Sequence, residues 1–276
     1  MRRWWILTAA ATAFALAAGI AFGVGFSKGQ PESVDEPTGP VTAIEEFDTE
    51  VLGSLAQPVV AGKLIGQSVA IVSSPNVTDL MLTDVTKSIT QAGGEVSASV
   101  ALTDAMLSSN QRQFVESVAQ QSNPGMSAEP GVSSYVLAAR ALGEALVNDS
   151  AKGETVLRAF SEGNLVTVAQ NPTKPATLVL FIGGTIRPGA GEAQIVNELA
   201  VELATMCKGA VVSGTSLHSL PLGYIYPVTP GTVSTFDVLD SPTGRSLVAL
   251  VLAAEVGDQS GSWGTSRAAN GPVPKL

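Results

Sequence analysis

A single cysteine and a single histidine, Cys207 and His218, stand in a chain of 276 residues. One cysteine excludes an intrachain disulfide, so the fold must rest on packing even in an oxidising compartment. One histidine gives any serine-nucleophile arrangement a single candidate base, and Ser213-Gly214-Thr215 lacks the GxSxG frame of a nucleophile elbow. There is no GKS or GKT for a phosphate loop. Gly183-Gly184 and Gly189-Ala190-Gly191 lack the third glycine of a dinucleotide fingerprint and read as loops that turn tightly into a helix. Aromatic residues make up 5% of the chain, too few for the girdles and repeated alternating segments of a membrane β-barrel. Positive charge is scarce too: 15 Lys and Arg face 24 Asp and Glu, a formal charge of −9 that becomes −11 once Arg2 and Arg3 are set aside. Such a body repels nucleic acid. The reading expects no catalytic residues and no enzyme.

Charge is also missing between Arg3 and Lys28. As a helix, residues 4–26 extend about 35 Å, enough to cross a hydrocarbon core of about 30 Å with tilt. Arg2 and Arg3 in front, with Lys28 and then acids behind, put the N-terminus inside and the rest outside the cytoplasmic membrane, in the periplasmic space. A cleaved signal peptide is the competing reading, since Ala15-Leu16-Ala17 is a small-x-small site, although the apolar run continues to Phe26. Ala11, Ala15, Gly19 and Gly23 recur every four residues, a small-residue stripe that suits close helix association in lipid; composition alone is the plainer account. Residues 1–3 are thus expected in the cytoplasm and 4–26 in the membrane. A Gly/Pro/Ser-rich linker over 27–40 and a short helical neck over 41–60 follow.

The body reads as α/β. Ser68 to Ser73 and Thr177 to Ile182 are short β-branched runs bounded by turn residues, and each leads through a helix to a further strand. These strand–helix–strand units, 68–102 and 177–213, imply one exported domain over 61–264 with a mostly parallel sheet flanked by helices. Between them, helices are expected over 110–121, 133–147 and 154–160, with Arg140 and Glu144 as a solvated pair one turn apart. A strand is expected over 233–239, and a helix with Ser241 and Pro242 at its start runs to Val256. The last residues, 265–276, read as a disordered tail.

Two places are left for chemistry. Soft ligands for copper are few: Cys207 and His218 are weak metal candidates, and Cys207, on the core face of its helix, reads as a buried structural thiol. The segment from Leu217 to Tyr226 is unusually apolar for a connection. Leu217, Leu220, Leu222, Tyr224, Ile225 and Tyr226 form either a partner-binding wall or side chains tucked under the sheet edge.

Several stretches in this order, Leu64 to Ile71, Gln91 to Val96 leading to Leu102-Thr103, Gly183-Gly184, and Val233 to Leu252 followed by Gly261-Ser262-Trp263-Gly264, resemble the actinobacterial copper transporter MctB family. The resemblance covers the anchor and nearly all of 63–264. It implies a membrane-associated protein linked to copper transport and copper homeostasis, with copper possible by resemblance only and no ligand carried onto these positions. Typical members carry a heptad-rich coil after the anchor. This chain has none, and in that respect it is most similar to the coil-less corynebacterial cell-division type, SteB. That type implies a septal, cell-envelope interaction module that joins a SteA-like membrane partner through the transmembrane helix. It also implies regulation of a peptidoglycan hydrolase through the coiled-coil segment of that enzyme. A homodimer is a further possibility. The copper-homeostasis component and the interaction module both stand at this point.

Overall fold

The computed structural model describes residue 51 and residues 54–123, 131–148, 151–229 and 231–276. The expected anchor over 4–26 with Ala11, Ala15, Gly19 and Gly23, the linker over 27–40 and most of the neck over 41–60 lie outside the described residues. Among the described residues no helix is long and apolar enough to cross a membrane. All described elements belong to one compact unit, Asp48–Leu276.

Helix α1, residues 54–60, leads into strand β1 (Ser68–Ser73). Helix α2 (Asp79–Gln91) starts where the Thr78 hydroxyl accepts from Met81 N. It ends at Gly93, whose φ of 81° admits the left-handed turn that returns Gly94 N to Ile89 O. Strand β2 (Glu95–Leu102) follows, then the short α3 (Asp104–Leu107), a 3-10 turn and helices α4 (Arg112–Ser122), α5 (Ser134–Leu146) and α6 (Ala151–Glu162). Strand β3 (Val166–Gln170), strand β4 (Leu178–Ile182), helix α7 (Ala190–Met206) and strand β5 (Gly209–Ser213) complete the second unit. Strand β6 (Ser234–Phe236), helix α8 (Pro242–Val256) and strand β7 (Ser262–Trp263) close the chain.

The seven strands form one sheet in the order β3-β2-β1-β4-β5-β6-β7, parallel except where β3 runs against β2. Alternation along the central strands assigns their side chains to two cores. Ala70, Val72, Val179, Phe181, Ala210 and Val212 face the layer of α3 to α7, whereas Val69, Ile71, Leu178, Leu180, Ile182 and Val211 face α1, α2 and α8. Burial on both faces is what a parallel sheet between helix layers demands, and it explains why β4 reads as an unbroken apolar run.

Arg140 Nε lies 2.8 Å from Glu202 on α7, which ties α5 to α7, and Glu144 accepts from Asn148. Three expectations need correction. Strand β6 is three residues long instead of seven; at its end Asp237 N donates to Trp263 O at 3.3 Å while the Asp237 carboxylate binds the chain after β7. Its Oδ1 accepts from Thr265 N at 2.7 Å and its Oδ2 from Ser266 N at 2.8 Å. The tail over 265–276 is therefore docked and not frayed: Gly271 bridges to Trp263, and Pro274 is buried. Helix α7 stops at Met206, so Cys207 is its half-buried C-cap and not a residue of the helical core face.

Candidate functional site

The carboxyl ends of β1 and β4 lie side by side where the strand order reverses, since β1 leads to β2 on one side and β4 to β5 on the other. In open α/β sheets the crevice at such a point is the usual ligand site. Here hydrogen bonds tie the two strand ends to each other. Ser74 Oγ accepts from Gly184 N at 2.8 Å, and Thr185 N donates to Asn76 O at 3.1 Å. A Cβ on Gly184 would collide with the backbone of Pro75 and Asn76, so glycine is what allows the two strand ends to close on each other.

Over this seam sit two rings. His218, in the 3-10 turn Ser216–Ser219, stacks on Tyr224 with centroids 4.9 Å apart and planes at 18°. Tyr224 in turn meets Phe181 of β4 edge-on at 5.7 Å. His218 Nε2 lies 2.6 Å from Gly184 O; a carbonyl only accepts, so Nε2 carries the hydrogen. The rings fit because Gly183, Gly214 and Gly223 present no side chain: a Cβ on Gly183 would stand 2.9 Å from both His218 Nε2 and Tyr224 Cδ2. Burial lowers the His218 pKa, against the opposing pull of the Gly184 carbonyl and of Asp240. Burial also pushes the Tyr224 hydroxyl up to about 12. Both rings are neutral at physiological pH. They act as a plug, leaving His218 Nδ1 and Thr215 Oγ1 buried without partners among the described residues.

This geometry separates the two sulfur and imidazole candidates. Cys207 precedes β5 and His218 follows it, so a strand of about 16 Å lies between them. Cys207 Sγ is 3.2 Å from both Leu203 O and Gly209 O, and burial raises its pKa first, with the charge of Glu255 adding to the effect. Met81 and Met106 are buried in opposite cores. Among the described residues no three His, Cys, Asp or Glu side chains converge on one point.

The apolar segment divides in two. Leu217, Leu220, Leu222 and Tyr226 are 44%, 46%, 45% and 61% exposed, whereas Tyr224 and Ile225 are 3% and 8% exposed. Tyr224 and Ile225 are therefore core and drop out of the expected wall; the other four remain at the surface. Leu222 holds a φ of 74°, a costly conformation for a branched apolar side chain. The turn keeps Gly223 against the His218 backbone, where a Cβ would collide. All four exposed residues lie at the carboxyl edge of the sheet. Residues 54–60, which bring the chain in from its N-terminal part, join β1 at the amino edge. The Ser74–Gly184 seam and the His218–Tyr224 stack were not foreseen in the sequence. Their signal in the sequence was the Gly-Gly after β4.

A model of the family described as "Copper transport outer membrane protein, MctB" matches residues 2–274. Two relatives named "Copper transporter MctB", from Mycobacterium bovis and Mycobacterium tuberculosis, are each 28% identical over 252 residues, covering 83% of this chain and 78% of the relative.

Proposed function

The chain belongs to the MctB family, and from that premise we propose that it works as a membrane-anchored interaction module of the cell envelope. It is held in the cytoplasmic membrane by residues 4–26, with its N-terminus inside. The observation that carries this reading is the exposed cluster Leu217, Leu220, Leu222 and Tyr226 at the carboxyl edge of the sheet, away from the edge where the chain enters. Apolar residues grouped on a soluble domain mark a docking face, and four side chains on a turn suit the apolar stripe of an amphipathic helix. The partner that suits them is a coiled-coil segment of a peptidoglycan hydrolase. A SteA-like membrane protein would join through Ala11, Ala15, Gly19 and Gly23. The role proposed is non-enzymatic, with the buried His218–Tyr224 stack over the joined strand ends as a structural support. The cell-division setting rests on resemblance to the coil-less type alone.

The test is capture of a coiled-coil hydrolase fragment by the protein. Leu220→Ser with Leu222→Ser should abolish binding while leaving the melting temperature in place. Retained binding in that variant would refute the docking face.

The second reading is a copper-homeostasis or transport component, favoured by the family description and by the relatives' names. A Cu(I) titration read by thermal melting separates it from the first. A large specific stabilisation that Cys207→Ser and His218→Ala abolish would establish copper binding; its absence leaves copper to other parts of the system.

A further inference from the structure

Beside β7, the β6–α8 turn and the docked tail line two neighbouring half-open clefts that share Pro272 and Val273, an inner part against β6 and α8 and an outer part against the tail. The inner part, of about 250 Å³, is lined by Phe236, Val238, Leu247, Pro272 and Val273, with Thr243 at its rim and no charged residue. The outer part, of about 610 Å³, is lined by Gln259, Trp263, Asn270 and Lys275 besides the shared wall. Lys275 is the one charged side chain lining either part, in a chain whose formal charge is −9. We propose that this pair of clefts binds a single-chain anionic amphiphile, its hydrocarbon in the inner part and its carboxylate or similar head in the outer part against Lys275.

Each half of the assignment has its own reason. An uncharged apolar cavity gains free energy from hydrocarbon and loses it with any polar group it cannot pair. The outer part supplies amides and one cation, the groups that hold an anionic head in partly wet surroundings. An extended peptide is the other elongated occupant, but it needs free backbone groups on the edge strand. Those of β7 are engaged: Ser262 O accepts from Asn270 N at 2.6 Å, Ser262 N donates to Asn270 Oδ1 at 2.8 Å, and Gly264 N donates to Gly271 O at 3.0 Å. The tail that forms the cleft wall is held by these bonds together with the Asp237 clamp on Thr265 and Ser266.

The experiment uses the full chain in its membrane, with a diazirine-bearing dodecanoate as probe and mass spectrometry to locate the photolabel. The label is expected on peptides from 236–247 and 259–275. An excess of dodecanoate should compete it away, and dodecyltrimethylammonium of the same chain length should not. Thr243→Trp, which fills the inner part from its rim, should lower that label about tenfold without lowering the melting temperature, and Lys275→Glu should remove the preference for the carboxylate. Label confined to residues 1–50 or 217–226, label that the fatty acid does not compete, or label unchanged in Thr243→Trp would overturn the site. Equal competition by the cationic amphiphile would overturn the head-group assignment.

Discussion

The segment from Leu217 to Tyr226 should split into two classes under substitution, and the split can be computed from burial. Tyr224 is 3% exposed, stacked on His218 and edge-on to Phe181. Its replacement by alanine removes the ring from the plug, and truncating a buried aromatic costs about 3–5 kcal/mol. For a domain of this size each kcal/mol moves the melting temperature by about 2–4 °C, so Tyr224→Ala should lower it by roughly 6–20 °C. Leu217, Leu220 and Tyr226 are 44% exposed or more, and a substitution to serine at such a site costs about 0.5 kcal/mol or less, a shift of about 2 °C at most. Leu222 sits at positive φ, so Leu222→Gly relieves strain of about 1–3 kcal/mol against a chain-entropy cost of about 0.5–1 kcal/mol and should not lower the melting temperature. The assay is differential scanning calorimetry of the full series beside partner capture. A loss of more than about 3 kcal/mol in the Leu220→Ser, Leu222→Ser variant would refute the division, because it would mean that the exposed residues are core.

Three further outcomes follow from the same geometry. His218 is the sole histidine, and its folded pKa lies below the ordinary 6.5. Its contribution is therefore complete above that value and declines as the pH falls through it, since the unfolded chain then binds the proton first. The melting temperature should drop between pH 7.5 and 5.5, and a flat profile would refute the neutral plug. Asp84→Ala should cost about 2–3 kcal/mol, less than a fully stranded buried charge. Arg245, with a side chain 9% exposed, keeps Leu239 O and Asp240 O after losing its 2.8 Å partner; a double-mutant cycle with Arg245→Ala measures the coupling. Asp237→Ala should release the tail, costing about 1–3 kcal/mol for the amides left unpaired; limited trypsin digestion followed by mass spectrometry should then show rapid cleavage at Arg267, and an unchanged rate would mean that the tail is held by other contacts.

The sequence by itself determined the architecture. Unbroken apolar runs such as Leu178 to Ile182, helices ended by Gly93 and started by Ser241-Pro242, and two strand–helix–strand units are local patterns, and local patterns are written in consecutive residues. It also determined the inventory of thiols and imidazoles, one Cys and one His, because these are countable. Tertiary structure decided everything that depends on residues far apart meeting. Ser74 and Gly184 close the switch point across 110 positions, Arg140 reaches Glu202 on another helix, and Asp237 captures a tail whose Gly/Ser composition reads as loose. The same holds within Leu217 to Tyr226: apolar side chains recur along the segment, but only the packing of Tyr224 between His218 and Phe181 says which side chains turn inward and which stay at the surface. A sequence states what each residue prefers, and burial is settled by the surfaces that other parts of the chain bring to it.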